Sequence, residues 1–438
     1  MFALLFVFSS SASELPLKIP LLELPTNLEN NGHWPGMLTS QTVAEDLHLL
    51  VMGGHMKWAE QAKSRHELIW LHHDIAQAFL FLADGWMHEE WHRAVLAKHE
   101  ISSVNNMLNP AVVFSGNGLV DVDGLLDSEL SALKQNAPAD MVRMSLAGME
   151  GQQELVHNLV EYSFFQEERR SKKKFFGQVS TSKLHTDIIF FLNQANNFMY
   201  MNACATGGLE DQIAELERVE LTQRSRDFTG ADCNAWVYDL FRPNEPYENR
   251  GPHSSGDGID RYIDLDEMSE EEQDFLTTAY WSQMLNFIHP MTLNFDGWEH
   301  SDGIWAINLR HAMIPFGVSY DVEGRWTTSN GQYTAALRNG IAQSSYHPTV
   351  EFEWRKLELG TFGFGLQTAL WWQPEDLLFT TTKGKLGGSI AFKNDFTIAG
   401  NWDWSNHLVL KTQGFQYGAL YMERNASLFS SLIYRWQI

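Results

Sequence analysis

The last third of the chain alternates between apolar and polar residues, and this alternation limits the possible folds more than any other feature. It begins past residue 303, and a clear example is Val350-Glu-Phe-Glu-Trp-Arg355. Successive side chains of a β-strand point to opposite faces of a sheet, so a period of two predicts strands. About eight such runs follow one another, separated by turn residues such as those at 329–331 and 374–376. The pattern predicts an antiparallel sheet over residues 303–438.

The length of these runs and their aromatic content point to a membrane. Several runs are about 9–11 residues long, the length of a tilted strand that crosses a bilayer. The chain contains 16 Trp, 27 Phe and 12 Tyr, and aromatic residues form the interfacial belts of membrane proteins. The final run, from Ser431 to Ile438, places Tyr434 and Trp436 on one face.

This part of the chain resembles the transmembrane β-barrels of Gram-negative outer membranes. The resemblance implies a C-terminal antiparallel β-barrel of about eight strands with outer-membrane lipid as its partner. The chain ends in Ile438, whereas those proteins usually end in Phe or Trp. A soluble antiparallel barrel or sandwich fits the same alternation and remains the alternative.

The residues before position 303 have a helical pattern instead. Ile75, Phe79, Leu82 and Trp86 recur at the spacing of one helix face. The first residues are apolar and then small, as in a signal peptide, although a mobile apolar terminus is the alternative. Together these features predict an α+β multidomain protein, with a signal peptide over 1–13, an extended lead over 14–39, an α-helical metal-binding domain over 40–302 and the barrel over 303–438.

The helical region contains one motif with direct chemical meaning, His88-Glu-Glu-Trp-His92. In a helix, His88 and His92 lie one turn apart on one face and can chelate one metal ion, usually Zn²⁺. Glu89 then lies beside the metal, where it can take a proton from a water molecule. Two solvated histidines on a helix are the alternative interpretation.

A hydrolytic zinc site needs a third protein ligand. Glu150 lies 58 residues after His92 on a second predicted helix, and Glu154 follows on the same face. Here the chain resembles the gluzincin class of zinc metallopeptidases, which pair His-Glu-x-x-His with a downstream Glu-x-x-x-Asp helix. The resemblance implies that Glu150 is the third ligand and that Glu154 orients a ligand histidine. Asp121 and Asp123 are reserve ligands.

His157 lies one turn after Glu154, where it is a candidate donor to the oxyanion of a tetrahedral intermediate. A polar histidine on a helix surface is the alternative. The Glu-x-x-His pairs at 89–92 and 154–157 also match half of the di-iron site of ferritin-like bundles. The further acids of that site would come from Glu60 or Glu67 and from Glu129.

Charge and cysteine content limit the partners. The formal net charge of -24 argues against nucleic acid, because phosphate binding needs clustered Lys and Arg. The two cysteines, Cys204 and Cys233, form a disulfide or a buried free pair; in an exported protein the disulfide is the prediction. The sequence thus predicts an exported zinc metallopeptidase that acts on peptides or proteins, anchored in the outer membrane and facing the periplasm or the surface. A non-enzymatic outer-membrane binding protein is the third alternative.

Overall fold

The computed structural model describes residues 14–25, 35–62, 69, 72, 75–76, 80–107, 122–165, 181–288, 298–328, 330–343, 345–359 and 362–437. The expected signal peptide over 1–13 lies outside the described residues, as do Asp121 and Glu67. All structural statements below concern the described part of the chain.

The described residues contain eight α-helices, all of which lie between strand Glu14–Leu24 and strand Trp298–His300 in the chain. They are α1 (Met37–Ala62), α2 (Phe81–Lys98), α3 (Asp127–Asn136), α4 (Pro138–Phe165), α5 (Thr181–Ala205), α6 (Glu210–Val219), α7 (Asp232–Phe241) and α8 (Glu270–Ser282). Short 3-10 turns lie at Gln223–Ser225, Tyr247–Arg250, Leu265–Glu267 and Gln283–Phe287. Among the helices described, none combines the length and the apolar character that a membrane crossing requires.

The strands are β1 (Glu14–Leu24), β2 (Val104–Asn105), β3 (Val122–Asp123), β4 (Trp298–His300), β5 (Gly303–Ile314), β6 (Gly317–Thr328), β7 (Gly331–Ala342), β8 (Ser345–Leu359), β9 (Phe362–Pro374), β10 (Gly384–Ala399), β11 (Trp402–Lys411) and β12 (Asn425–Gln437). Strands β4 to β12 pair with their neighbours in chain order, and β1 adds to β12. The predicted C-terminal antiparallel sheet is therefore confirmed, with its eight long strands β5 to β12.

The sheet differs from the prediction at its two ends. Within the described residues of the lead over 14–39, strand β1 is extended and pairs antiparallel with β12, with Leu17 opposite Tyr434, and helix α1 already begins at Met37. Strands β1 and β4 are the two ends of the ten-stranded order, and the described residues contain no pairing between them. The predicted closure into a barrel was thus wrong for backbone hydrogen bonding: the described sheet is open.

The two faces of the sheet have an inverted polarity. Outward side chains such as Leu337, Val350 and Leu370 are 53%, 56% and 65% exposed. Inward side chains such as Glu323 and Arg325 are almost completely buried. A soluble sheet buries its apolar face and exposes its polar one, so this arrangement is the reverse of the soluble rule.

Helix α4 explains how the polar face is accommodated. Its second half lies along the inner face of the sheet, where Arg310 of β5 donates to Glu154 (2.6 Å) and Arg355 of β8 pairs with Glu161 (2.7 Å). Near its end, Val160 packs with Ala306 of β5. Two arginines of the inner face thus find carboxylate partners on this helix, which offsets part of the cost of desolvating them.

The same helix joins the two parts of the chain. Val142 and Leu146, in the first half of α4, share one apolar cluster with Met313 and Phe316 at the β5–β6 turn. The predicted boundary at residue 303 therefore separates two segments that share a hydrophobic core.

Candidate metal centre

Helix α2 presents His88 and His92 on one face, as the motif predicts. Their ring centroids lie 4.8 Å apart. Met87, Trp91 and Val95 are completely buried in the helical core and hold the helix in place. The histidines therefore have a fixed position at the junction of α2 with its neighbours.

The third group of the cluster is Asp232, the first residue of α7. Its Oδ2 lies 3.0 Å from Nε2 of His88 and 3.5 Å from Nε2 of His92. Bonds of 2.0–2.1 Å in a tetrahedral zinc site place ligand atoms about 3.3 Å apart. The two distances lie on either side of that value. Among the described residues, these three form the group whose ligand atoms all lie within 4.8 Å of one another.

A hydrogen bond orients the second histidine. Nδ1 of His92 lies 2.5 Å from the carbonyl oxygen of Met144 on α4, and a carbonyl only accepts, so Nδ1 carries the proton. In the neutral imidazole, Nε2 is then unprotonated and points into the cluster, and within the described part of the chain it has no hydrogen-bond partner. Metal-binding histidines usually have this second hydrogen bond to a carbonyl or carboxylate.

Two glycines of α4 create the space around the cluster. A Cβ atom at Gly148 would lie 2.3 Å from Nε2 of His88 and 2.4 Å from Nε2 of His92. One turn later, a Cβ at Gly151 would lie 2.8 Å from the ring of Trp91. The absence of side chains lets α4 approach α2 closely and leaves a small space directly against the two ligand nitrogens.

The electrostatics of the cluster favour a cation. Burial alone would raise the pKa of Asp232, but the imidazoles of His92 and His88 outweigh it and hold the pKa well below its usual range. Burial lowers the pKa of His88 and favours the neutral imidazole, although Asp232 opposes this effect. A divalent metal binds such groups as a carboxylate and neutral imidazoles, and the lowered pKa values of Asp232 and His88 favour these states for those two groups.

Two further polar side chains reach this region. The hydroxyl of Tyr200 on α5 accepts the backbone N–H of Asp232 at 3.1 Å. Burial, followed by the charge of Asp232 and with a smaller effect of Glu89, raises the pKa of Tyr200 well above its usual value. The predicted base Glu89 is itself buried and directly follows His88 on α2.

The expected third ligand lies elsewhere. Both carboxylate oxygens of Glu150 accept from Arg143, at 3.0 and 3.2 Å, and one also accepts the backbone N–H of Gly418 at 3.1 Å. Glu150 is two residues past Gly148, which turns its side chain away from α2 because helix neighbours two apart lie on different faces. The structure therefore brings Asp232, and not Glu150, to the two histidines.

Glu154 and His157 face the sheet. Glu154 pairs with Arg310, as described above, and Nδ1 of His157 lies 3.3 Å from Arg325 and 3.7 Å from Glu323. His157 is nine residues past Gly148, or about 14 Å along the helix axis. The predicted roles in orienting a ligand histidine and in stabilising an oxyanion are therefore corrected to contacts between α4 and the sheet.

The described residues also locate two of the remaining candidate ligands, and the side chain of Glu60 lies outside them. Asp123 lies in the short strand β3 and is not part of the cluster. Glu129 caps α3 by accepting the backbone N–H of Leu126 at 2.7 Å. Since Glu154 and His157 face the sheet, the structure does not bring together the two Glu-x-x-His pairs of the di-iron alternative.

The cysteines support the position of Asp232. The structure joins Cys204 of α5 and Cys233 of α7 in a disulfide, with Cα atoms 6.3 Å apart. Cys233 directly follows Asp232, so the bond attaches the start of α7 to the helix that carries Tyr200. Sequence reasoning missed Asp232 because 144 residues separate it from His88 and one aspartate at a helix start is a common feature.

Comparison with models of known protein families, with curated proteins and with solved structures finds no match to this chain.

Proposed function

We propose that this protein is a membrane-anchored zinc metallopeptidase in which His88, His92 and Asp232 hold the metal ion. The observation that carries the proposal is the convergence of three ligand atoms, two imidazole and one carboxylate, around the space that Gly148 leaves open. Three protein ligands leave the fourth position of a tetrahedral site for water, which is the arrangement of catalytic zinc sites. Aspartate replaces the glutamate that the resemblance implied.

Glu89 is the proposed general base. A zinc ion in such a site lowers the pKa of a water molecule and polarises the substrate carbonyl. Glu89 is buried and directly follows His88 in the chain. A carboxylate at this position can accept the proton of the attacking water and pass it to the leaving amine. The substrate class, peptides or proteins, follows from the resemblance of the motif to zinc metallopeptidases.

The inverted sheet supports anchoring in an outer membrane. Its exposed side chains include Leu337, Val350 and Leu370, and its buried ones include Glu323 and Arg325. Apolar residues outside and charged residues inside are the arrangement of β-sheets that contact lipid. Large exposed apolar surfaces are rare on soluble monomers, so contact with lipid would explain why apolar side chains are exposed on this face.

The metal proposal is tested by the zinc content of purified variants. We expect about one zinc ion per chain in the natural protein and loss of zinc in His88→Ala and Asp232→Ala, because two ligands bind zinc poorly. Glu150→Gln is the matched control, since it changes a buried carboxylate on α4 that contacts Arg143 instead of the histidines. Circular dichroism verifies that each variant is folded.

Each outcome of that measurement has a clear meaning. Zinc retained in Asp232→Ala and lost in Glu150→Gln would overturn the ligand assignment. Stoichiometric iron in place of zinc would favour the di-iron alternative. A folded protein that purifies without bound metal would favour a non-enzymatic binding protein.

The anchoring proposal is tested by flotation with lipid vesicles. We expect the folded protein to float with vesicles and Leu337→Arg to float less, because arginine on a lipid-facing strand costs about 2–4 kcal/mol near the bilayer centre. Leu221→Arg is the control, since Leu221 is also exposed but lies in the helical part. A protein that stays in the aqueous fraction as a folded monomer would overturn the anchoring.

A further inference from the structure

A large cavity lies between helix α4 and the inner face of the sheet. Its volume is about 770 Å³, and helix α1 and strands β1 and β7 to β12 form its other walls. It follows β12 from Asn425 to Arg435, a distance of about 33 Å at the usual strand rise. None of His88, His92 and Asp232 lines it, so the cavity is separate from the metal centre.

The cavity wall carries charges of both signs. Eight carboxyl groups and six lysine or arginine side chains line it. Some of them form close pairs: Lys393 lies 2.8 Å from Glu353, and Arg338 lies 2.7 Å from Glu351. Apolar side chains such as Leu428 and Phe429 lie between these charges, so a ligand meets both charged and apolar groups here. A ligand with a single charge would therefore meet groups of its own sign as well as groups of the opposite sign.

Unsatisfied polar atoms add a second observation. Nε2 of His407 on β11 and Oε1 of Gln416, in the loop before β12, are buried and line the cavity. Among the described residues, neither atom has a hydrogen-bond partner. Buried polar groups are normally satisfied by protein, water or ligand, so these two atoms indicate polar contents.

We propose that this cavity binds small hydrophilic solutes that carry both an ammonium and a carboxylate group, namely short peptides. Such a molecule places its positive end at a carboxylate and its negative end at a neighbouring lysine or arginine, and its amides match the unsatisfied side chains. The choice of peptides rests on the proposed peptidase activity, because hydrolysis of a peptide bond creates one new ammonium and one new carboxylate. The separation from the metal centre makes the cavity a second site for these products.

The test uses isothermal titration of the full-length Glu89→Gln protein in detergent with triglycine, since this variant lacks the proposed base and leaves the probe intact. We expect saturable binding of triglycine. N-acetyltriglycine has only the negative charge and triglycinamide only the positive one. Each of these two analogues should bind at least about tenfold more weakly than triglycine, because a charge-assisted hydrogen bond contributes about 1.5–3 kcal/mol.

Matched tryptophan substitutions locate the binding. Ser427 lines the cavity, whereas its neighbour Ala426 is exposed on the other face of β12. Ser427→Trp should fill the cavity and weaken triglycine binding at least about tenfold, and Ala426→Trp should leave it unchanged. Ser405→Trp is a second filling variant on the neighbouring strand β11.

The outcomes separate this inference from the proposed function. Absence of saturable triglycine binding, or equal binding to the Ser427→Trp and Ala426→Trp proteins, would overturn the cavity site whatever the zinc content. Equal affinity for triglycine and both singly charged analogues would overturn the requirement for two charges. If the protein contains no zinc but Ser427→Trp still weakens triglycine binding, the cavity site is supported and the peptidase proposal is not.

Discussion

Gly148 lies against His88 so closely that a methyl group on Gly148 would stand 2.3 Å from the Nε2 atom of the histidine. The same methyl group would lie 2.4 Å from Nε2 of His92. The ring of His92 is fully buried, and its Nδ1 donates a hydrogen bond to the carbonyl oxygen of Met144. A side chain at position 148 and a metal ion between the histidines therefore compete for the same space.

Gly148→Ala should lose zinc and activity while the helix persists. Alanine is favoured over glycine inside helices by about 0.5–1 kcal/mol, so metal loss would come from the displaced histidine rings. Zinc content and the circular dichroism spectrum measure the two effects. Gly54→Ala on α1 is the control, because a Cβ at that position meets no atom within 4 Å. Full zinc content in Gly148→Ala would place the metal elsewhere.

Glu89→Gln should retain zinc and lose peptidase activity by roughly 10²–10⁴-fold. Glutamine preserves the size of the side chain and can hydrogen-bond a water molecule, but its amide does not accept a proton at neutral pH. Zinc analysis and peptide cleavage on the same preparation provide the measurement. Joint loss of zinc and activity would make Glu89 a ligand, and full activity would remove it from the mechanism.

The stability of the helical part should depend on pH through Asp140 of α4. Nζ of Lys98 and Nε2 of His99 lie 2.7 and 2.8 Å from its carboxylate. Burial alone would raise the pKa of Asp140, but the hydrogen bond from His99 and the charges of Lys98 and His99 lower it to about 2. The folded-state pKa is thus depressed below the unfolded value of about 3.9. The stabilisation is therefore fully present above pH ~4 and is lost as pH falls towards 2.

Asp140→Asn should consequently lower the free energy of unfolding at pH 7 by about 2–3 kcal/mol. The difference from the natural protein should shrink as the pH approaches 2. Denaturant unfolding in detergent at pH 7 and pH 3 measures the two differences. The exposed Asp274 of α8 offers the control, since Asp274→Asn should change stability by less than about 0.5 kcal/mol. A difference that does not change with pH would contradict this role of Asp140.

Cys204 and Cys233 should be found as a disulfide in protein taken from the cell envelope without reductant. Mass spectrometry would show a linked pair of peptides, whereas two alkylatable thiols would contradict the bond. The 29-residue separation gives a loop-closure contribution of about 3–4 kcal/mol in the chain-entropy model. Replacing both cysteines with serine should therefore reduce the free energy of unfolding by a few kcal/mol, on the order of that value.

Several features could be predicted from the sequence because their causes lie close together along the chain. The period of two after residue 303 predicts strands, since successive side chains of an extended chain always alternate between faces. Likewise, the four-residue spacing of His88 and His92 places both on one face of a helix whatever its neighbours are. The antiparallel sheet and the histidine pair are accordingly found where the sequence predicts them.

Only the tertiary structure decided which groups meet across long distances in the chain. Alternation defines two faces of a sheet but not which one lies inside; α4 decides that by pairing Glu154 and Glu161 with arginines of the inner face. The third group of the metal cluster depends on how α7 docks beside α2, and no local pattern distinguishes Asp232 from the chain's other acids. The docking of one helix on another depends on the summed packing of many side chains, whereas a motif depends on a few residues close together in the chain. For this reason the sequence predicts Glu150 as the third ligand, whereas the structure places Asp232 beside the two histidines.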